Sequence, residues 1–188
     1  MLDMRPYTLH VLRCGFVVPL LGLLLSCEVP TEAYDNPLDE EVAQEKGIDT
    51  PALVFFPDKF EGLTAGNSVS VQLFALEVPD VAGAYIQLAY DKSKISIGNV
   101  NAGDFFGSAP IFIYEDDSEN GLLNIYTSFL GSDSSSTVSG TGNLATLVLG
   151  TITAGQSTLN YTVETQIVDA QDNPVVLNGL GEGVIDVQ

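Results

Sequence analysis

Tryptophan is absent from the 188-residue chain, histidine occurs once (His10), cysteine twice (Cys14 and Cys27), and six basic residues stand against 25 acidic ones. Each scarcity excludes something. Nucleic acid is held by clustered positive charge, so a formal charge of −19 argues against it as a partner. A small domain without tryptophan has few rings with which to grip a sugar. The rare histidine and one of the two cysteines also lie in the first 26 residues, a segment with a character of its own.

In that segment Arg5 and Arg13 flank or precede an apolar run over 14–25, which closes on Leu24-Leu25-Ser26-Cys27. The run is short of the ~20 residues that a membrane-spanning helix needs and fits the apolar region of a secretory signal. Small Ser26 before the cysteine and Leu24 three residues before it match the pattern of a lipoprotein signal. Residues 1–26 are therefore expected to be a lipoprotein signal peptide and Cys27 to carry the lipid. The protein is expected to be exported and lipid-anchored to the bacterial cell envelope, at the outer membrane or cell surface. Cleavage would leave 4 basic and 24 acidic residues, a formal charge of −20, and would remove His10 and Cys14. No Ser-His-Asp triad, Cys-His pair, imidazole base, His/Cys zinc site or disulfide can be built from what remains. The catalytic options left are a carboxylate pair or hard-metal chemistry. Partners should be neutral, basic or calcium-loaded.

Residues 27–51 read as an acidic linker. From Glu28 to Thr50 there are eight acidic residues, one lysine, Pro30 and Pro37, and few large apolar side chains. A transient helix over 38–47, with Leu38 and Val42 on one side, offers too little apolar surface to offset its ordering entropy. As a coil the linker would span about 27 Å, and about 80 Å pulled out.

From 52 to 188 the pattern is short alternating apolar runs separated by Gly, Asn, Asp and Ser, the mark of an all-β sandwich. Val69, Val71, Leu73 and Ala75 alternate with polar or outward positions, as do Leu159, Tyr161 and Val163. The apolar stretch 144–152 reads as a central strand covered on both sides. Further strands are expected at 53–56, 83–90, 95–100, 111–115, 122–129, 175–177 and 183–187.

Gly66-Asn67-Ser68-Val69-Ser70-Val71, Val81-Ala82-Gly83 leading to Leu88-Ala89-Tyr90-Asp91, and Gly103-Asp104-Phe105 form an ordered series. Gly121-Leu122-Leu123-Asn124-Ile125, Gly140-Thr141-Gly142-Asn143-Leu144-Ala145-Thr146-Leu147, Val168-Asp169-Ala170 and Gly183-Val184-Ile185-Asp186-Val187 continue it. In order and spacing this series resembles a cohesin domain. Lys92 stands where that family usually has proline, and Leu149 where phenylalanine is common. The resemblance implies a nine-stranded jelly-roll β-sandwich with no catalytic role and no cofactor. It also implies a protein partner, a calcium-loaded dockerin-type module, lying across the sheet face made by 83–90, 111–115 and 122–130. By alternation Ile86, Leu88, Tyr90, Leu123, Ile125 and Phe129 point inward. Tyr85, Gln87, Ala89, Asn124, Tyr126 and Ser128 are left outward as the expected partner-binding residues; aromatic rings there bury large area at low entropic cost.

Other features have plainer readings. Glu115 to Gly121 begins like a calcium loop but lacks the later bidentate glutamate, and Asn120-Gly121 between apolar runs signals a hairpin turn. Residues 169–174 read as a turn, and the serine-rich 131–142 as a flexible loop. Asp91, Asp104 and Glu115 are the acidic residues near the proposed face, without a cleft to make them a glycosidase pair. The rival to a protein partner is polysaccharide, bound by a carbohydrate-binding module on the same fold. A linear row of exposed aromatics would mark it, and only Tyr85 and Tyr126 are available.

Overall fold

The computed structural model of the protein describes residues 40–107, 110–129 and 137–188. The expected signal peptide, Cys27 and most of the linker lie outside the described residues. A six-residue helix α1 (Glu40–Glu45) leads into β1 (Ala52–Phe56), β2 (Lys59–Leu63), β3 (Ser68–Val81), β4 (Gly83–Tyr90), β5 (Ile95–Ala102) and β6 (Ile111–Asp117). Then follow β7 (Leu122–Ser128), β8 (Val138–Thr151), β9 (Gly155–Tyr161), β10 (Gln166–Val168), β11 (Gly179–Leu180) and β12 (Glu182–Val187). One sheet has the order β11-β1-β3-β8-β5, the other β2-β12-β9-β4-β7-β6 with β10 also paired to β4. Nine of the ten strands read from the sequence form, and they are joined by β2 and β11 at sheet margins and by the short β10.

Period-two alternation builds the sandwich. Val69, Val71, Leu73 and Ala75 of β3 and Leu147 and Leu149 of β8 are buried, and so are Ile86 and Leu88 of β4 and Leu123 and Ile125 of β7; all join one core cluster. Each fully buried leucine or isoleucine contributes roughly 1.5–3 kcal/mol of transfer free energy. Phe55 stacks on Tyr161 with ring centroids 4.7 Å apart, and the Tyr161 hydroxyl donates to Val54 O.

Several expectations are corrected. β8 is central in its sheet, but Thr146, Val148 and Gly150 are only half-buried and Ile152 is exposed, so it is covered on one side. It also starts at Val138, which puts the end of the serine-rich stretch in a strand. β9 ends at Tyr161, leaving Val163 almost wholly exposed in a turn. No strand forms over 175–177. Val168 makes an isolated bridge to Pro174, and the chain pairs again only at Gly179 and Leu180, beside β1.

Residues 40–51, read from the sequence as the end of a free linker, are docked. Ala43, with Ile48, packs against Ala52, Val54, Leu76 and Phe74 on the outer side of the five-stranded sheet. Asn178 ties the segment down, its N donating to Pro51 O at 2.7 Å and its Nδ2 to Thr50 O at 2.7 Å. Lys46 pairs with Asp58. The helix is too short to stand alone, and it forms here because the sheet supplies the missing apolar partner.

Turn chemistry agrees with the sequence. Gly121 follows Asn120 with φ of 68° and closes the β6–β7 hairpin; a Cβ there would lie 2.5 Å from Tyr90 O. Asp169 accepts from the N atoms of Gln171 and Asn173, which closes the 169–174 turn.

The β3–β8 pair is irregular. Its register shifts between Leu73 and Phe74, again between Ala75 and Val78, and again between Val78 and Val81. Two non-glycine residues of that stretch, Glu77 (φ 47°) and Asp80 (φ 48°), occupy the left-handed region. Each is held from β8: Glu77 N donates to Thr141 Oγ1 at 3.1 Å, and Asp80 N to Ser139 Oγ at 2.8 Å.

Candidate partner-binding face

The register of β4, β7 and β6 sets the six sequence-derived residues on one open face. Tyr85 lies opposite Tyr126, Gln87 opposite Asn124, Gly83 opposite Ser128 and Ala89 opposite Leu122. The intervening Ile86, Leu88, Leu123 and Ile125 are sealed in the core, so the outward set cannot turn in without a one-residue slip of the whole strand. Tyr90 is buried as expected and donates to Asp116 Oδ1; burial first, then that bond, holds its phenol well above the ordinary tyrosine range. Phe129 is partly buried against the same core.

Four of the six form a joined group. The rings of Tyr85 and Tyr126 stack at 4.8 Å and 18°. Tyr85 Oη donates to Asn124 Oδ1 at 2.9 Å, and Gln87 Nε2 donates to Tyr85 Oη at 3.0 Å and to Asn124 Oδ1 at 2.9 Å. Thr162 Oγ1 donates to Gln87 Oε1 at 2.8 Å, and Thr165 clasps the Gln87 backbone. Desolvation foremost, then the neighbouring Tyr126, raises the Tyr85 phenol above its usual pKa. The face is therefore uncharged at its centre and pre-ordered. Ala89 and Ser128 stand apart at opposite ends, Ala89 beside Leu122 and Asn160, Ser128 beside Gly83 and Ile111.

Two apolar residues join this face that sequence reasoning did not assign. Ile113 lies opposite Tyr126 and Ile111 opposite Ser128, and they are 60% and 44% exposed on the edge strand β6. Alternation in 111–115 carried the signal, since Ile111, Ile113 and Glu115 share a side; continuing the register from Tyr126 would have found them. A shallow depression of 290 Å³ lies among Tyr85, Tyr126, Ile111, Ser128 and Gln166.

The carboxylates considered for catalysis are dispersed. Asp91 lies in the β4–β5 turn, bound by Ser93 N and Oγ, which hold its pKa low; Asp104 follows β5; and Glu115 is on β6. Among the described residues no group of three or more His, Cys, Asp or Glu side chains could hold a metal ion. No helix among them is long and apolar enough to cross a membrane.

Comparison with known proteins now adds the family. The cohesin domain model matches residues 54–179. The chain belongs to the cohesin domain family. Cohesin domains are non-catalytic protein-interaction modules. Among solved structures it is similar to a non-cellulosomal cohesin from the hyperthermophilic archaeon Archaeoglobus fulgidus, at 15% identity and a TM-score of 0.57, covering 73% of this chain and 91% of that one. It is similar also to the third cohesin of ScaC, solved with the ScaB dockerin, from Acetivibrio cellulolyticus, at 18% identity and a TM-score of 0.62 over 72% and 97%. A third relative is the OlpA cohesin, solved with Doc918, from Clostridium thermocellum, at 16% identity and a TM-score of 0.59 over 73% and 98%. No curated protein matches the chain. At such identities the structures share the fold, and the contacts of their complexes do not transfer residue by residue.

Proposed function

We propose that this cohesin is an exported protein, lipid-anchored through Cys27, that captures a calcium-loaded dockerin-type module on the outer face of β4, β7 and β6. The observation that carries this reading is the open patch of Ile111, Ile113 and Tyr126 beside the stacked, hydrogen-bonded Tyr85. Exposed aliphatic and aromatic side chains around a pre-ordered polar group are what a partner desolvates at low entropic cost. The partner-bound relatives among the similar structures support it. On this reading the chain has no catalytic role, and lipid rather than charge holds it at the envelope. Linked to a partner that carries an enzyme, it would gather polysaccharide-degrading activity at the cell surface.

A pull-down tests it. Residues 28–188 are used as bait in culture fluid and envelope extract of the source organism, with calcium and with chelator. Calcium-dependent capture of a protein with paired Asp-rich loop-helix repeats, lost in a Tyr126→Ala, Ile113→Ser double variant, is the expected result. Capture of no such protein overturns the reading. The lipid is tested separately, by mass spectrometry of the mature N-terminus and by its loss in Cys27→Ser.

A further inference from the structure

A second recess lies away from the partner face, on the other sheet, where β3 and β8 lose register. It has a volume of 380 Å³ and is lined by Gln72, Phe74, Asp104, Phe105, Ser139, Thr141 and Asn143, with Val138 and Gly142. From these groups we infer that the recess is a binding site for a neutral saccharide, a monosaccharide unit or the end of a glycan chain. The inference does not depend on the dockerin reading.

The recess lies beside the irregular part of the β3–β8 pair. The bulges at Glu77 and Asp80 place non-glycine residues in the left-handed region, which side chains other than glycine rarely adopt. Reciprocal bonds hold both: Thr141 Oγ1 donates to Glu77 Oε1 at 2.9 Å in return for the Glu77 N–H, and Ser139 faces Asp80 likewise. The bulges therefore sit where the two lining hydroxyls are placed. Close backbone approach fixes the opposite wall. Gly103 N donates to Leu144 O and Phe105 N to Asn143 O, and a Cβ on Gly103 would fall 2.0 Å from Asn143 O. The Asn143 amide is aimed by its bond to Thr146 Oγ1 at 3.0 Å. Its Oδ1 is buried and has no hydrogen-bond partner among the described residues.

The donor set selects the ligand class. The Gln72 carboxamide both donates and accepts, as the hydroxyls of a sugar require; the Ser139 and Thr141 hydroxyls, whose protons go to Asp80 and Glu77, each keep an acceptor site; one carboxylate can bridge a vicinal pair, and Phe74 and Phe105 supply an apolar wall. Among the described residues no lysine or arginine lines the recess, and the chain is strongly acidic, so an anionic ligand finds no countercharge there. A hard divalent cation would find a single carboxylate. The sheet leading to the recess is uncharged as well: Ser70, Gln72, Thr146, Asn99 and Asn101 stand together by register. The volume lies at the low end of the roughly 300–1,000 Å³ typical of small-molecule sites, which suits one or two sugar rings.

Titration of the full-length protein in detergent with glucose, xylose, N-acetylglucosamine and cellobiose, followed by ¹H–¹⁵N NMR, tests the inference. Saturable shifts of the Gln72 and Asn143 side-chain amides are expected with at least one of these sugars, while Tyr85 and Tyr126 stay unmoved. Asp104→Ala and Gln72→Ala should each weaken that binding at least about tenfold. The same spectra show that both variants are folded. Tyr126→Ala should bind sugar as the parent does. An absence of saturable shifts with all four sugars, shifts scattered over the surface, or binding undiminished in both folded variants would each overturn the assignment.

Discussion

On β1 the outward residues Ala52 and Val54 are apolar, and so are Ile111 and Ile113 on β6, yet the two stripes end differently. The β1 stripe is covered by the chain's own residues, with Ala43 and Ile48 lying on it. The β6 stripe stays open, with Ile113 60% exposed. An apolar stripe that the chain covers itself is part of folding, whereas one left open beside a pre-ordered polar group is available to a partner. Substitution can break or sharpen this contrast.

The largest effect is expected inside, beneath the open face. Leu123→Ala, at a fully buried position, should cost about 2–5 kcal/mol in urea unfolding. Gly103→Ala should cost more than about 2 kcal/mol by the same measure, because its Cβ would collide with Asn143 O in backbone that cannot yield cheaply. On the covered stripe, Ala43→Glu puts a carboxylate against Ala52 and Leu76. It should cost about 1–3 kcal/mol and speed amide exchange over 43–50. On the open stripe, Ile113→Ser should change stability by no more than about 0.5 kcal/mol while abolishing partner capture. Equal costs for Ala43→Glu and Ile113→Ser would erase the distinction. The smallest effect is at the 169–174 turn. Hydrogen bonds from Asn173 foremost, then Gln171, lower the Asp169 pKa. Its contribution is therefore complete above the ordinary carboxylate range and fades as pH falls through the lowered value; the Gln171 and Asn173 amide shifts should follow that titration.

Much of this was legible in the chain. Strict alternation in β3, β4 and β7 announced both the core and the outward set, because a half-buried strand has only two sides. Asn120-Gly121 announced its turn through the backbone geometry it tolerates. What escaped depended on long-range partners. Residues 40–51 look too polar to fold, and do so only on the outer side of the five-stranded sheet, tied there by Asn178 more than a hundred positions later. The outward role of Ile111 and Ile113 needed the β6–β7 register, and apolar residues without it are naturally assigned to the core. The only local mark of the bulges at Glu77 and Asp80 was Pro79 between them, which cannot donate to a ladder; neither bulged residue is a glycine, and the hydroxyls that hold them come from β8.

The two parallel pairings bear on the order of assembly. β1 lies beside β11 and β2 beside β12, so the first strands of the domain wait for the last. Neither sheet can complete its margin until residues 179–187 are available, and contacts so distant in sequence form slowly. Until then β2 has no strand partner at all and β1 is paired on one side alone, so these nine residues close both sheets.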